Sequence, residues 1–205
     1  MYAETKTKLC QSNHQPNPKT YIVVVGADGK NPVEKKYLNL KHYEFMTRMI
    51  ISYINKLGID PYDIILVSGG SAWAQHIVIE LYLNNSFGGL NLYLPSTFDT
   101  KQKKFVNTHE GRLLNGLHAE FKNKIPYIDS LNDLTNIINS GFKSGIRVEV
   151  KRGFKQRNTL MTHECDHLLA FVFDVDSDSI NTDVENIWTK VKCINKIKYD
   201  LSPVT

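Results

Sequence analysis

At 205 residues, with 41% hydrophobic and 22% charged side chains, the chain can bury one full core and is ordinary in composition for a globular domain. A formal charge of +4 admits an anionic ligand, but it falls short of the concentrated basic face of a nucleic-acid binder and so disfavours nucleic acid as a partner. Three cysteines, Cys10, Cys165 and Cys193, are too few and too scattered for a disulfide framework or a Cys-based zinc site, which points to a reducing, cytoplasmic setting.

No apolar run reaches the roughly 18 residues of a membrane span, so no membrane association is expected. Residues 1–19 are polar and lack a signal peptide's apolar core; they read as a flexible arm ahead of a single domain over 20–205. Tyr21–Val25 is a short β-branched strand that stops at Gly26, with Asp28-Gly29 as a turn signal. No G-x-G-x-x-G follows, so an ordinary dinucleotide site is not supported. Residues 31–40 read as irregular. Lys41–Leu57 carries Met46, Ile50, Tyr53, Ile54 and Leu57 on one helical stripe, closed by Gly58 and Pro61.

Ile64–Val67 predicts a second buried strand, which runs into Ser68-Gly69-Gly70-Ser71 and a helix over Ala72–Leu83. A strand ending in Gly-Gly at a helix start leaves backbone N–H groups open to a phosphate; a ligand-free tight turn explains the same residues. His76 reads as packed or surface rather than a ligand. Leu90–Leu94 is the third strand, followed by a long polar connection from Ser96 to Asn107. Helices are expected over Glu110–Phe121 and Ser130–Ser140, the second capped by Ser130, and His109 and His118 read as solvated or capping. Ile146–Val150 is the fourth strand.

The next two dozen residues admit two readings. Gln156–Glu164 has helical character and Leu168–Phe173 is an unbroken apolar run of the kind buried on both faces in parallel sheets. Arg157 and Asn158 stand where loop becomes helix, within reach of an anion. Overlapping them, His163-Glu164-Cys165-Asp166-His167 spells H-E-x-x-H, a zinc-peptidase motif that requires both histidines on one helix. The strand-like run beginning just after His167, and the lack of a third ligand, count against zinc, so neither a metal nor another cofactor is assigned. Asp174–Asp178 is acidic but lacks the glycine and closing glutamate of a calcium loop. A helix over Thr182–Ile194 and an edge strand over Lys196–Leu201 complete an alternation that predicts an α/β, doubly wound, mostly parallel sheet with ligands beyond its carboxyl ends.

Ser68-Gly69-Gly70-Ser71-Ala72-Trp73-Ala74, then Arg157-Asn158 with Met161, Asp166 and Leu169-Ala170-Phe171, resemble the SLOG superfamily of Rossmannoid proteins, which includes YspA-like, DprA-like and LOG (lysine-decarboxylase-like) members. Ser179-Ile180-Asn181-Thr182 falls where that superfamily opens a helix with Gly-Thr, and Glu185 follows three residues after the threonine. The resemblance implies a nucleotide, nucleoside phosphate or nucleotide-derived ligand, and it leaves a homodimer open. By the same resemblance Ser68, Gly69, Gly70, Ser71, Asn158, Ser179, Asn181 and Thr182 are binding residues and Arg157 binds the anion; Gly26 joins them as the end of the first strand, opening on the same rim. Arg157 and Glu185 would be the catalytic pair of a LOG-like hydrolase cleaving the base–ribose bond of a nucleoside monophosphate. Asn181 in place of the usual glycine and the acidic 174–179 loop favour binding or sensing over hydrolysis.

Overall fold

The short β-branched and aliphatic runs at 20–26, 64–68, 89–94 and 167–172 become strands that are buried on both faces. The computed structural model describes residues 18–84, 86–141, 145–173 and 182–204. In chain order its strands are β1 (Thr20–Gly26), β2 (Ile64–Ser68), β3 (Gly89–Leu94), β4 (Phe98–Asp99), β5 (Lys104–Phe105), β6 (Ile146–Val150), β7 (His167–Val172) and β8 (Asn195–Asp200). Six of them form one all-parallel sheet in the order β6-β3-β2-β1-β7-β8, with β8 at an edge as expected. The chain works outward from β1 to one edge and then returns to build the other. The switch point therefore lies between β1 and β7, where open α/β sheets place their ligands.

Alternation along the strands sends side chains to two separate cores. Ile22 and Val24 of β1, Leu66 of β2 and Leu92 of β3 face one side. There they meet Met46 and Ile50 of α2 (Leu40–Leu57), Ile77 of α3 (Ala74–Asn84), Leu117 and Phe121 of α4 (His109–Lys124), and Leu134 of α5 (Ser130–Ser140). Val23, Val67, Leu168 and Ala170 face the other side, under Met161 of α6 (Gly153–His163) and Ile187 of α7 (Thr182–Lys190). Each fully buried aliphatic side chain contributes about 1.5–3 kcal/mol. The result is a Rossmann-like, doubly wound fold. Among the described residues no helix is long and apolar enough to cross a membrane.

Local chemistry moves several boundaries. Residues 31–40 are not irregular throughout: they hold α1 (Pro32–Tyr37), because Asn31 accepts from the Glu34 amide at 2.8 Å and Pro32 supplies a preset first helical residue. The polar stretch after β3 folds into the β4–β5 hairpin, where Phe98 and Phe105 pack edge to face and Asn115 of α4 bonds both backbone groups of Phe105 at 2.9 Å. Asp129, not Ser130, caps α5, accepting from the Asn132 amide at 3.0 Å. α3 starts at Ala74 rather than Ala72, since Trp73 holds a positive φ of 57°. α6 begins at Gly153, so Arg157 and Asn158 sit in its second turn and not at its mouth.

Candidate functional site

The turn after β2 is closed by its own side chains. Ser68 Oγ accepts from the Gly70 amide at 3.2 Å and donates to the Gln75 carbonyl at 2.9 Å, while Gln75 Oε1 accepts from the Ser71 amide at 3.1 Å. Arg157 reaches this turn from α6, 88 residues away, donating from Nη1 to the Gly69 carbonyl at 3.1 Å and to Gln75 Oε1 at 3.3 Å. Its Nε donates to Asn158 Oδ1 at 2.8 Å. Arg157 is only 2% exposed. A Cβ on Gly69 would lie 2.4 Å from Nη1, so the room that glycine leaves is filled by guanidinium. The structure thus brings Ser68, Gly69, Gly70, Ser71, Arg157 and Asn158 together, and it makes Arg157 a brace for the turn. The turn's second and third amides, of Gly70 and Ser71, are already taken by Ser68 and Gln75.

His118 completes the brace. It is buried, rather than solvated or capping as its spacing suggests, because α4 turns it inward against the Gly70 carbonyl. That carbonyl can only accept, so Nε2 carries the proton (3.1 Å) and Nδ1 accepts from Ser130 Oγ at 2.8 Å. Burial first, and His76 second, push the His118 pKa down to about 3. The unfolded chain takes up this proton near pH 6.5 and the folded one does not until about pH 3. The stability His118 contributes is therefore complete above about pH 6.5 and is lost as pH falls towards 3, at about 1.4 kcal/mol per pH unit. His118→Gln is expected to reduce the pH slope of the urea midpoint by about one proton in that window. His42 and His167, lowered mainly by burial, stay common to both proteins.

The loop after β1 supplies two buried carboxylates that spacing alone did not single out. Glu34, 2% exposed, accepts from the Asp28 and Gly29 amides at 3.1 and 3.0 Å. Asp28, 5% exposed, accepts from Ser71 Oγ at 3.2 Å and pairs with Lys30 Nζ at 3.3 Å. The Asn31-Pro32-x-Glu34 pattern, a helix-start signature, was the signal available for Glu34. Gly26 sits at the switch point with φ 141°, its Cα face pressed on β7, and the following Ala27 amide donates to the Phe171 carbonyl at 2.8 Å.

Phe154 joins this loop to α6. Lys30 Nζ lies 4.1 Å from the centre of the Phe154 ring, and the Arg157 guanidinium carbon 5.1 Å from the same ring. Just before Phe154, residues Lys151, Arg152 and Gly153 line a cavity of about 440 Å³ shared with Ser96, Thr108 and Glu110. The N-terminus of α6 opens into it: no side chain caps that end, and the Gly153 amide donates to the Pro95 carbonyl at 3.1 Å. Val106 and Val150, exposed by 37% and 47%, form an apolar wall.

Other sequence candidates lie elsewhere. Glu185 Oε1 is held by Lys198 Nζ at 2.5 Å. Lys198 is on β8, three strand spacings (about 14 Å) from β2. Ser179 and Asn181, and the acidic 174–178 stretch, fall outside the described residues, and Thr182 is placed only as the first residue of α7. The H-E-x-x-H pattern is split: α6 ends at His163 and His167 begins β7, so the two imidazoles share no helical face. Glu164 accepts instead from Asn91 at 2.5 Å, Arg147 at 2.6 Å and the Tyr93 hydroxyl. Burial and that last bond push the Tyr93 hydroxyl pKa up. His167 Nδ1 meets the Tyr53 hydroxyl at 2.7 Å. Among the described residues no group of three or more His, Cys, Asp or Glu is placed to hold a metal.

Fold and rim together define a Rossmann-like α/β protein whose polar constellation gathers at the carboxyl ends of parallel strands. No family model matches the chain. Over 185 residues, which is 90% of this chain and 97% of the relative, it is 37% identical to uncharacterized protein R261 of Acanthamoeba polyphaga mimivirus, and it belongs to the family of that viral protein.

Proposed function

We infer that the protein is a cytoplasmic binder of a nucleotide or nucleotide-derived small molecule, held on the carboxyl rim of the sheet. The observation that carries this reading is the 440 Å³ groove at the start of α6, an end without a side-chain cap and flanked by Lys151 and Arg152, with Phe154, next in the chain, bearing Lys30 and Arg157 on its ring. A phosphate fits against the first-turn amides of α6 beyond Gly153, whose own amide is taken by Pro95, beside Lys151 and Arg152, where helix dipole and side-chain charge act in the same sense. Ser96 and Thr108 offer hydroxyls to a sugar, and Val106 and Val150 an apolar face to a base. Glu110 lines the same groove and would repel added charge, which favours a monophosphate over a polyphosphate. The resemblance to the SLOG superfamily supports the same ligand class. The hydrolytic alternative rests on Glu185, whose carboxylate would first have to leave Lys198.

Calorimetric titration with nucleoside 5′-monophosphates, diphosphates and inorganic phosphate tests this. The expected result is tightest binding of a monophosphate, weakened about tenfold or more in Arg152→Ala, with no free base released. Base release that is lost in Glu185→Ala would support the hydrolase instead, and an absence of binding across the panel would end the proposal.

A further inference from the structure

Cys165 lies on the connection from α6 to β7, and Cys193 on the connection from α7 to β8. His167 pairs with Asn195 in the parallel ladder, so each cysteine stands two residues ahead of the same rung. Neighbouring strands run about 4.8 Å apart, inside the Cα separation of about 4.4–6.8 Å that a disulfide accepts. The two sulfurs are free thiols with Sγ atoms 3.6 Å apart, although 28 residues separate them in sequence. What reads in sequence as scattered cysteine is a vicinal pair in space. Sγ of Cys165 faces the His167 carbonyl and Sγ of Cys193 the Asn195 carbonyl, so the two side chains take the same course along neighbouring strands.

We propose that Cys165 and Cys193 form a reversible modification site, a dithiol that a low-molecular-weight disulfide oxidises to an intramolecular disulfide. The two positions are unequal. Cys193 adjoins Ile194, which is 93% exposed, and it meets a soluble oxidant first. Cys165 is the more enclosed thiol, and burial, then the neighbouring Cys193, push its pKa up, which suits a resolving rather than an attacking sulfur. In the first step the Cys193 thiolate attacks one sulfur of the oxidant; that S–S bond breaks and one small thiol leaves. In the second, Cys165, deprotonated as it reacts, attacks Cys193 Sγ in the mixed disulfide, forms the Cys165–Cys193 bond and expels the second small thiol. Two electrons pass from the cysteines to the oxidant, and the two S–H protons end on the two released thiols.

The bond would tie edge strand β8 to β7 at their amino ends and close a loop that carries both β7 and α7. Loop closure of this size restricts the unfolded chain, so the oxidised protein is expected to melt about 5–10 °C higher. Such a staple suits a thiol-rich compartment as a transient state and not as a permanent framework.

The test uses folded full-length protein with Cys10→Ser, which leaves one pair. After incubation with oxidised glutathione, intact mass is expected to fall by two hydrogens, peptide mapping to show a Cys165–Cys193 cross-link, and the melting point to rise until dithiothreitol reverses it. Cys165→Ser is expected to stop at a mixed disulfide, carrying one glutathione with no rise in melting point. The proposal is overturned if both thiols remain open to alkylation, if only mixed disulfides accumulate in the pair-containing protein, or if the cross-link forms only in urea.

Discussion

Gly26→Ala is expected to be among the most damaging single-methyl changes in the protein, costing about 2–5 kcal/mol in urea unfolding. The residue ends the central strand with φ 141°, where an L side chain is strained, and a Cβ there would lie 2.2 Å from the Phe171 carbonyl oxygen and 2.6 Å from its nitrogen. Those are backbone atoms of β7, paired in the ladder with β1, and they cannot swing aside as a flexible side chain would. Relief requires parting β1 from β7 at the switch point. The same substitution at Gly116 is expected to have the opposite sign. Gly116 lies within α4 with nothing within 4 Å of a built Cβ, so alanine there should stabilise by about 0.5–1 kcal/mol through helix propensity. Equal cost at the two positions would show that Gly26 is not held against β7.

The second large effect is expected at Arg157. Arg157→Met keeps much of the side chain's bulk but removes the fork that holds the Gly69 carbonyl, Gln75 Oε1 and Asn158 Oδ1. Buried acceptors left without donors cost about 1–3 kcal/mol each, so a loss of about 2–5 kcal/mol is expected, read from the urea midpoint. Arg157→Lys retains charge but has no planar fork, and a single ammonium cannot span Gly69 and Asn158 together; it should recover only part of the loss. A second readout separates bracing from mere packing. Because Arg157 stacks on Phe154, which follows the groove residues directly, Arg157→Met is expected to weaken nucleotide binding even at temperatures where the variant is fully folded. Unchanged affinity would confine Arg157 to a structural role.

These two residues also show how far the sequence could be read. The alternation of short apolar runs with helical stripes was enough to place the six sheet strands and the doubly wound arrangement, because burial on both faces leaves an unbroken aliphatic signature in YIVVV and LLAFVF. The convergence of Arg157 with the Gly69 turn was also visible, as two motifs in a familiar order. What they do to each other was not. Whether a guanidinium faces a ligand or a carbonyl depends on Gln75, which nothing local marks, and on Asn158, whose motif points to a ligand while its side chain accepts from Arg157. The burial of His118 is not legible for a related reason: its partners, Gly70 and Ser130, lie far from it in sequence. The vicinal cysteines depend on strand register, which spacing along the chain does not carry. Glu34, by contrast, carries a legible capping pattern within a polar stretch that otherwise reads as irregular.

Hydrogen exchange with and without the tightest-binding nucleotide is the most direct test of a ligand site on the carboxyl rim. Protection is expected over residues 150–158, the start of α6 with the groove, and over 26–30 beside it. Protection confined to the amino ends of the strands, or to the outer surfaces of α2 and α3, would contradict it.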